Sequence, residues 1–213
     1  MTLTVNEVFV SIQGEGTRAG MPCVFVRLTG CPLRCTWCDT AYAFHEGTRR
    51  AEDDLIAEME AQDCRLVTIT GGEPLAQAAA FPFISRLAGS GWTVLVETSG
   101  HVSLQDLDPR ATAILDVKCP GSGETARMDW SNIERLKATD EVKLVLADRS
   151  DYEWARDLVR ERRLAERCTV LFSPVHGALD PGVLGRWIVE DGLAVRLQVQ
   201  LHKYLWPGVE RGV

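Results

Sequence analysis

The sequence predicts an α/β protein in a single domain, built as a partial (β/α)6-type barrel with some helices shortened. Three observations carry this expectation. Short β-branched runs that end in Gly, Pro or a polar residue alternate with segments of helical periodicity. No internal repeat, low-complexity tract or Pro/Ser-rich linker breaks the chain. The length of 213 residues supports one well-packed core but is short of the ~250 typical of a complete eight-fold barrel.

Taken in order, the candidate strands are 23–28, 66–70, 93–97, 113–117, 141–146 and 169–172, with a further run at 196–201. Apolar residues return at three- and four-residue spacing over 52–61, 76–87, 130–138, 152–164 and 181–190, which predicts helices there. Strands that alternate with helices run parallel through right-handed crossovers, in an open doubly wound sheet or in a whole or partial barrel. In both arrangements function collects at the carboxyl ends of the strands. The residues there are Arg27, then Thr70-Gly71-Gly72-Glu73-Pro74, Glu97-Thr98-Ser99-Gly100, Asp116-Val117-Lys118 and Ser173-Pro174-Val175-His176. They are expected to converge on one mouth.

Composition narrows the class of function. With 23 Lys+Arg against 30 Asp+Glu the net charge is −7, and no basic run offers the surplus of cations that phosphate neutralisation requires. Nucleic acid is therefore not an expected partner. No apolar stretch is long enough to span a bilayer, and the first residues lack the basic and apolar regions of a signal peptide, so a cytoplasmic protein is expected.

Seven cysteines are present, and three of them, Cys31, Cys35 and Cys38, follow the first run in the spacing Cys-x3-Cys-x2-Cys. A disulfide framework would space them differently. Three thiolates on one tight loop can ligate three irons of a cubane cluster and leave the fourth iron open to a substrate or cofactor. A zinc site would need a fourth ligand, for which His45 is nearest in a spacing unlike common fingers. A thioredoxin-like C-x-x-C has no third cysteine upstream, and an ordinary ferredoxin cluster needs a fourth nearby cysteine, whereas Cys64 and Cys119 are distant. Buried, unreactive thiols are a poor account of three so close together in a Gly/Pro-rich loop.

The cysteine motif with Trp37 before its last cysteine, together with Gly71-Gly72-Glu73-Pro74 after the second run, resembles the radical S-adenosylmethionine (SAM) superfamily. The resemblance implies a [4Fe-4S] cluster on Cys31, Cys35 and Cys38, SAM chelating the open iron, Gly72 and Glu73 on its methionine amine, and Trp37 near its adenine. Physical logic agrees, since two glycines let backbone approach a ligand and a carboxylate accepts from an ammonium.

Within that superfamily, Glu7-Val8-Phe9-Val10-Ser11-Ile12-Gln13-Gly14-Glu15-Gly16 resembles the opening of the 7-carboxy-7-deazaguanine synthases. So do Cys38-Asp39-Thr40, Asp116-Val117-Lys118-Cys119-Pro120 and Gln200-Leu201-His202-Lys203-Tyr204-Leu205-Trp206, and the likeness runs through the whole chain. It implies ring contraction of 6-carboxy-5,6,7,8-tetrahydropterin to 7-carboxy-7-deazaguanine with loss of ammonia, in queuosine (7-deazapurine) biosynthesis. The implied substrate contacts are Ile12, Gln13, Gly14, Glu15, Arg27, Thr70 and His202. The implied SAM contacts are Trp37, Asp39, Gly72, Glu73, Ser99, Asp116, Val117, Lys118, Ser173, Pro174, Val175 and His176. Mg2+ is implied on Thr40, with waters and the substrate carboxylate completing its shell. A homodimer and a reductant of flavodoxin type also follow from the resemblance. A glycyl-radical activase shares the cysteine spacing and acts on a protein, and a zinc-binding adaptor domain is the rival outside enzymes. Pro207 is followed by six further residues, which leaves the role of the tail open.

Overall fold

Nine strands form one sheet in the order β3-β1-β2-β4-β5-β6-β7-β8-β9 in the computed structural model, which covers residues 1–213. Strands β2 (Pro22–Leu28), β4 (Leu66–Gly71), β5 (Thr93–Thr98), β6 (Thr112–Val117), β7 (Glu141–Leu146) and β8 (Thr169–Pro174) are all parallel and match the six expected runs. They curve into a partial barrel that does not close. Strands β1 (Thr2–Ile12) and β3 (Thr48–Ala51) add antiparallel to its leading edge, and β9 (Arg196–Leu197) ends the other side.

The two edge strands at the start were not expected. In β1 the alternation that buries Leu3 and Val5 is broken by a bulge between Val5 and Glu7, after which Glu7 pairs in register with Arg27. A bulge shifts the period-two pattern by one and hides the strand from a periodicity reading.

Helix α1 (Glu52–Glu60) precedes β4 and α2 (Ala80–Gly89) precedes β5, both near their expected bounds. The expected helix over 130–138 is cut to a single turn, α3 (Asn132–Arg135), because Leu136 is extended and the Asp140 carboxylate takes the Lys137 and Ala113 amides. Helix α4 (Arg149–Glu161) and the short α5 (Leu164–Arg167) follow β7, with the Asp148 side chain capping α4 by accepting from the Asp151 amide. Helix α6 (Pro181–Glu190) starts on an Asp180 cap with Pro181 at its first position and has the expected limits. The expected strand run over 196–201 is also shortened. It pairs for two residues, then Gln198 turns its carboxamide to Gly16, and Leu201–Leu205 forms α7.

The two faces of the sheet bury different things. The outer face packs against the helices in the main core, around Val26, Ile69, Val96, Leu115, Leu144 and Phe172. The inner face carries a small apolar layer of Cys23, Phe25, Leu66, Leu95 and Ile114. Two residues further along the same strands stand Arg27, Thr68, Glu97 and Asp116, and period two puts them on the same face. The interior of the barrel thus changes from apolar to charged toward the carboxyl ends of the strands.

Candidate active site

A cavity of about 450 Å³ opens on this charged layer and collects most of the residues singled out in the sequence. The cluster loop, residues 31–38, forms one side of it with Cys31, Cys35, Trp37 and Cys38, continued by Asp39 and Thr40. Ile12, Gln13, Gly14 and Glu15 contribute from the loop after β1, Arg27 from β2, Thr70 and Gly72 from the end of β4, and Ser99 from the end of β5. Asp116, Lys118, Val175, His176 and His202 complete the expected set on the wall.

Four expected contacts stand off the wall. Val117 follows Asp116 on its strand, so alternation turns it into the outer core. Ser173 and Pro174 are buried within β8, short of the strand end that places Val175 and His176. Glu73 is fully buried, and its carboxylate accepts from the Leu75 and Ser99 amides and from the Thr98 and Ser99 hydroxyls. These bonds tie the end of β4 to the end of β5. Gln13 is likewise occupied: its amide donates to Thr68 Oγ1 at 2.8 Å and accepts from the Glu15 amide at 3.2 Å.

The cluster loop is seated by close backbone approach. A Cβ on Gly72 would run into the Gly30 carbonyl and lie 2.9 Å from the Cβ of Cys31, so glycine is what lets β4 reach the loop. The loop's outer side is braced by the segment after β6, where Glu124 accepts from the Arg34 amide at 2.6 Å and the Ser122 carbonyl accepts from the Thr36 amide at 3.1 Å. All three thiols are unpaired and half-buried or exposed. Burial pushes each of them up, and the Lys118 ammonium opposes this by favouring the thiolate.

On the same wall, Arg27 donates from Nε to Glu7 at 2.7 Å, which fixes the guanidinium and leaves its terminal nitrogens for a ligand. Tyr42 also donates to Glu7, at 3.0 Å. The cavity wall also carries a run of alternating charges. Lys118 pairs with Asp116 at 2.9 Å, Lys143 lies 3.6 Å from the same Asp116 oxygen, and Lys143 pairs with Glu15 at 2.7 Å. Burial alone would raise Glu15 and Asp116, yet the lysines outweigh it and hold both below the usual carboxylate range. Glu97, hydrogen-bonded by the Thr70 hydroxyl at 2.6 Å, goes the other way: burial and the Glu15 charge raise it.

Sequence reasoning gave Lys143 no functional place, and named Glu97 only as a strand-end residue and Gln200 and Lys203 only within a longer stretch; all four line the cavity. For Lys143 a signal existed. A strand buried on both faces should read as continuously apolar, and Glu141 and Lys143 interrupt β7 at alternate positions. Val213 also reaches the wall, because the tail folds back with Arg211 over the Tyr42 ring and paired with Glu46.

The residues fit the groups implied by the cysteine motif. A cubane takes one thiolate per iron, so three separate thiols bordering one cavity suit it. The second oxygen of Asp116 is buried on the cavity wall without a hydrogen-bond partner, and such an orphaned acceptor suits the ammonium or hydroxyl donors of a bound SAM.

Partial parallel barrel and three-thiol loop together define a radical SAM protein, and the Radical SAM superfamily pattern matches residues 25–116. That class implies a [4Fe-4S] cluster and SAM. The chain is 42% identical over 99% of its length to the whole of the 7-carboxy-7-deazaguanine synthase of Koribacter versatilis, and 41% identical to that of Chlorobaculum tepidum, covering 99% of this chain and 97% of the relative. It belongs to the 7-carboxy-7-deazaguanine synthase family. Among solved structures, QueE from Escherichia coli superposes with a TM-score of 0.79 at 25% identity, covering 95% of each chain. SuiB from Streptococcus suis shares the fold at a TM-score of 0.54 and 12% identity over 80% of this chain and 44% of its own.

Proposed function

We propose that the chain converts 6-carboxy-5,6,7,8-tetrahydropterin to 7-carboxy-7-deazaguanine with loss of ammonia, as a carbon-nitrogen lyase in 7-deazapurine (queuosine) biosynthesis. The observation that carries this reading is that one cavity is lined both by the three thiols and by an Arg27 fork held ready by Glu7. Cys31, Cys35 and Cys38 would hold the cluster. When bound and reduced, the cluster with SAM would supply the radical chemistry that starts the reaction at C6 of the pterin.

The chain's own residues orient the reactants. Arg27 clamps the substrate carboxylate bidentately, which fixes the ring's direction relative to the thiols. Ile12 and Gly14 offer backbone to the ring, Glu15 offers a carboxylate held ionised by Lys143, and His202 closes over Gly14. The Thr70 hydroxyl, bonded to Glu97, presents its oxygen to the ring's donors. On the SAM side, Trp37 offers a face for the adenine, the backbone at Gly72 and Ser99 approaches the methionine group, and Asp116, Lys118, Val175 and His176 border the remainder, with Asp39 beside them. Mg2+ would sit on Thr40, whose hydroxyl now donates to Asp39 at 2.9 Å, and would take waters and the substrate carboxylate as its other ligands.

The same reading extends to the surroundings. The protein acts as a cytoplasmic homodimer served by a flavodoxin-type reductant. Supporting the homodimer are the unpaired edge of β9 and the exposed Leu197, Tyr204 and Leu205 beside it. No helix is long and apolar enough to cross a membrane. Anaerobic incubation of cluster-loaded protein with the carboxytetrahydropterin, SAM, Mg2+ and reductant is expected to yield 7-carboxy-7-deazaguanine and ammonia in equal amounts. No product from protein with its full iron and sulfide content sinks the reading.

A further inference from the structure

We propose that Lys143 is a positioning residue for both ligand subsites, its ammonium bridging Glu15 of the loop after β1 to Asp116 of β6. This rests on the assignment of Glu15 to the pterin side and Asp116 to the SAM side given above. Lys143 is placed mid-strand on β7, its side chain 11% exposed, with Nζ 2.7 Å from Glu15 and 3.6 Å from Asp116. Those two carboxylates belong to elements more than 100 residues apart in sequence, and nothing else joins them.

The chemistry explains why a cation is needed at this point. Glu15, Glu97 and Asp116 all line the one cavity, which gathers three carboxylates on its wall. Arg27 is engaged with Glu7 and Lys118 with Asp116, so Lys143 is the ammonium in contact with Glu15. The other contacts of Glu15 are the neutral carboxamides of Gln198 and Gln200, at 3.2 and 3.0 Å. Removing one partner from a buried ion pair leaves an uncompensated charge, which is resolved by protonation or by movement. Without Lys143, Glu15 would drift from its place under the pterin, and Asp116 would swing to Lys118 alone and carry its unpartnered oxygen with it.

The test uses cluster-loaded Lys143→Met, Glu15→Gln and Asp116→Asn under anaerobic conditions. Two constants are read for each: the SAM Kd by equilibrium dialysis and the KM for the carboxytetrahydropterin. Lys143→Met should weaken both by roughly tenfold or more. Glu15→Gln should raise the pterin KM and keep the SAM Kd within about twofold, and Asp116→Asn should do the reverse. A residue that merely filled space would not need its charge, so Lys143→Arg should keep both constants within about threefold of the unsubstituted enzyme where Lys143→Met does not. If Lys143→Met does not hold the cluster, Lys143→Gln is read in its place with the same expectation. A Lys143→Met or Lys143→Gln protein in which only one constant moves, or neither, overturns the proposal. Absence of pterin turnover by the unsubstituted enzyme defeats the functional reading instead, and the SAM Kd still reports on Lys143.

Discussion

Two irregular segments close on the same cavity and are held differently. The cluster loop, residues 31–38, combines main-chain bonds at its root with side chains from one neighbouring segment: Gly30 receives the Glu73 amide at 2.8 Å and gives its own to Ala43 at 2.8 Å, Ser122 receives that of Thr36, Glu124 accepts from the Arg34 amide at 2.6 Å, and Arg127 reaches the Pro32 carbonyl at 2.6 Å. The floor loop, residues 13–17, hangs on side chains from distant elements. Glu141 at the start of β7 accepts from the Thr17 amide at 3.0 Å and from its hydroxyl, Gln198 accepts from the Gly16 amide at 2.5 Å, and Lys143 holds Glu15. Only the Leu201 amide, bonded to the Gly14 carbonyl at 3.0 Å, adds a main-chain tie to the tail. Backbone bonds between neighbouring strand ends form as soon as the sheet forms, whereas ion pairs and carboxamides respond to pH, salt and the placement of the tail. The thiol end should therefore be the rigid reference, and the pterin end the adjustable one.

The largest effect is expected at the rigid end. Cys31→Ala removes one of the three thiols without touching the loop's main-chain bonds, so iron loading and turnover should be lost while the melting transition of the metal-free chain moves little. Iron analysis alongside calorimetry checks this. Retained turnover would remove Cys31 from the cluster, and a collapsed fold would show that the thiol, and not the backbone, seats the loop.

An intermediate effect is expected at the floor. Glu141→Ala deletes the acceptor of two Thr17 donors, and hydrogen bonds to a charged group contribute about 1.5–3 kcal/mol each way of counting. Because Thr17 is exposed and can turn to water, the loss of global stability should lie at the lower end of that range. The pterin KM should rise and the SAM Kd should stay near its original value, since the cluster loop has no contact with Glu141 among its hydrogen bonds. Equal damage to both constants would erase the contrast between the two loops.

The same contrast governs what was legible beforehand. Cysteine spacing and the Gly-Gly-Glu-Pro turn are local, so the rigid end could be read from two short stretches, and the six parallel strands from their β-branched runs. The floor is assembled from residues 13–17, 141–143 and 198–202, of which the first and last were legible only through the family resemblance and 141–143 read only as part of a strand. That the Gln13 amide meets Thr68, and that the Glu73 carboxylate accepts from Thr98 and Ser99, shows nowhere in the sequence, because these bonds cross from one strand to another. Long-range side-chain bonds leave no periodic trace. The clue that survives is a charge at alternate positions of a buried strand, as in β7.

The smallest effect should be a pH dependence seated in the floor. The His202 ring lies against Gly14, where any Cβ would strike its Nδ1, and burial pushes its pKa below the usual imidazole value of 6.5, with Glu15 only partly opposing. The folded chain then binds fewer protons at this site than the unfolded chain, so its contribution to stability is present above about pH 6.5 and is lost as pH falls through the folded value beneath it. Glu97, which burial raises, has the opposite sign, so the two are separable by substitution. Melting temperatures at pH 7.5 and 5.5 should fall less in His202→Gln than in the unsubstituted chain, and the pterin KM of the latter should rise over the same interval while the SAM Kd does not. Parallel melting curves for the two proteins would mean that the imidazole is free to charge where it stands, and the floor would then be no more sensitive to protons than the cluster loop.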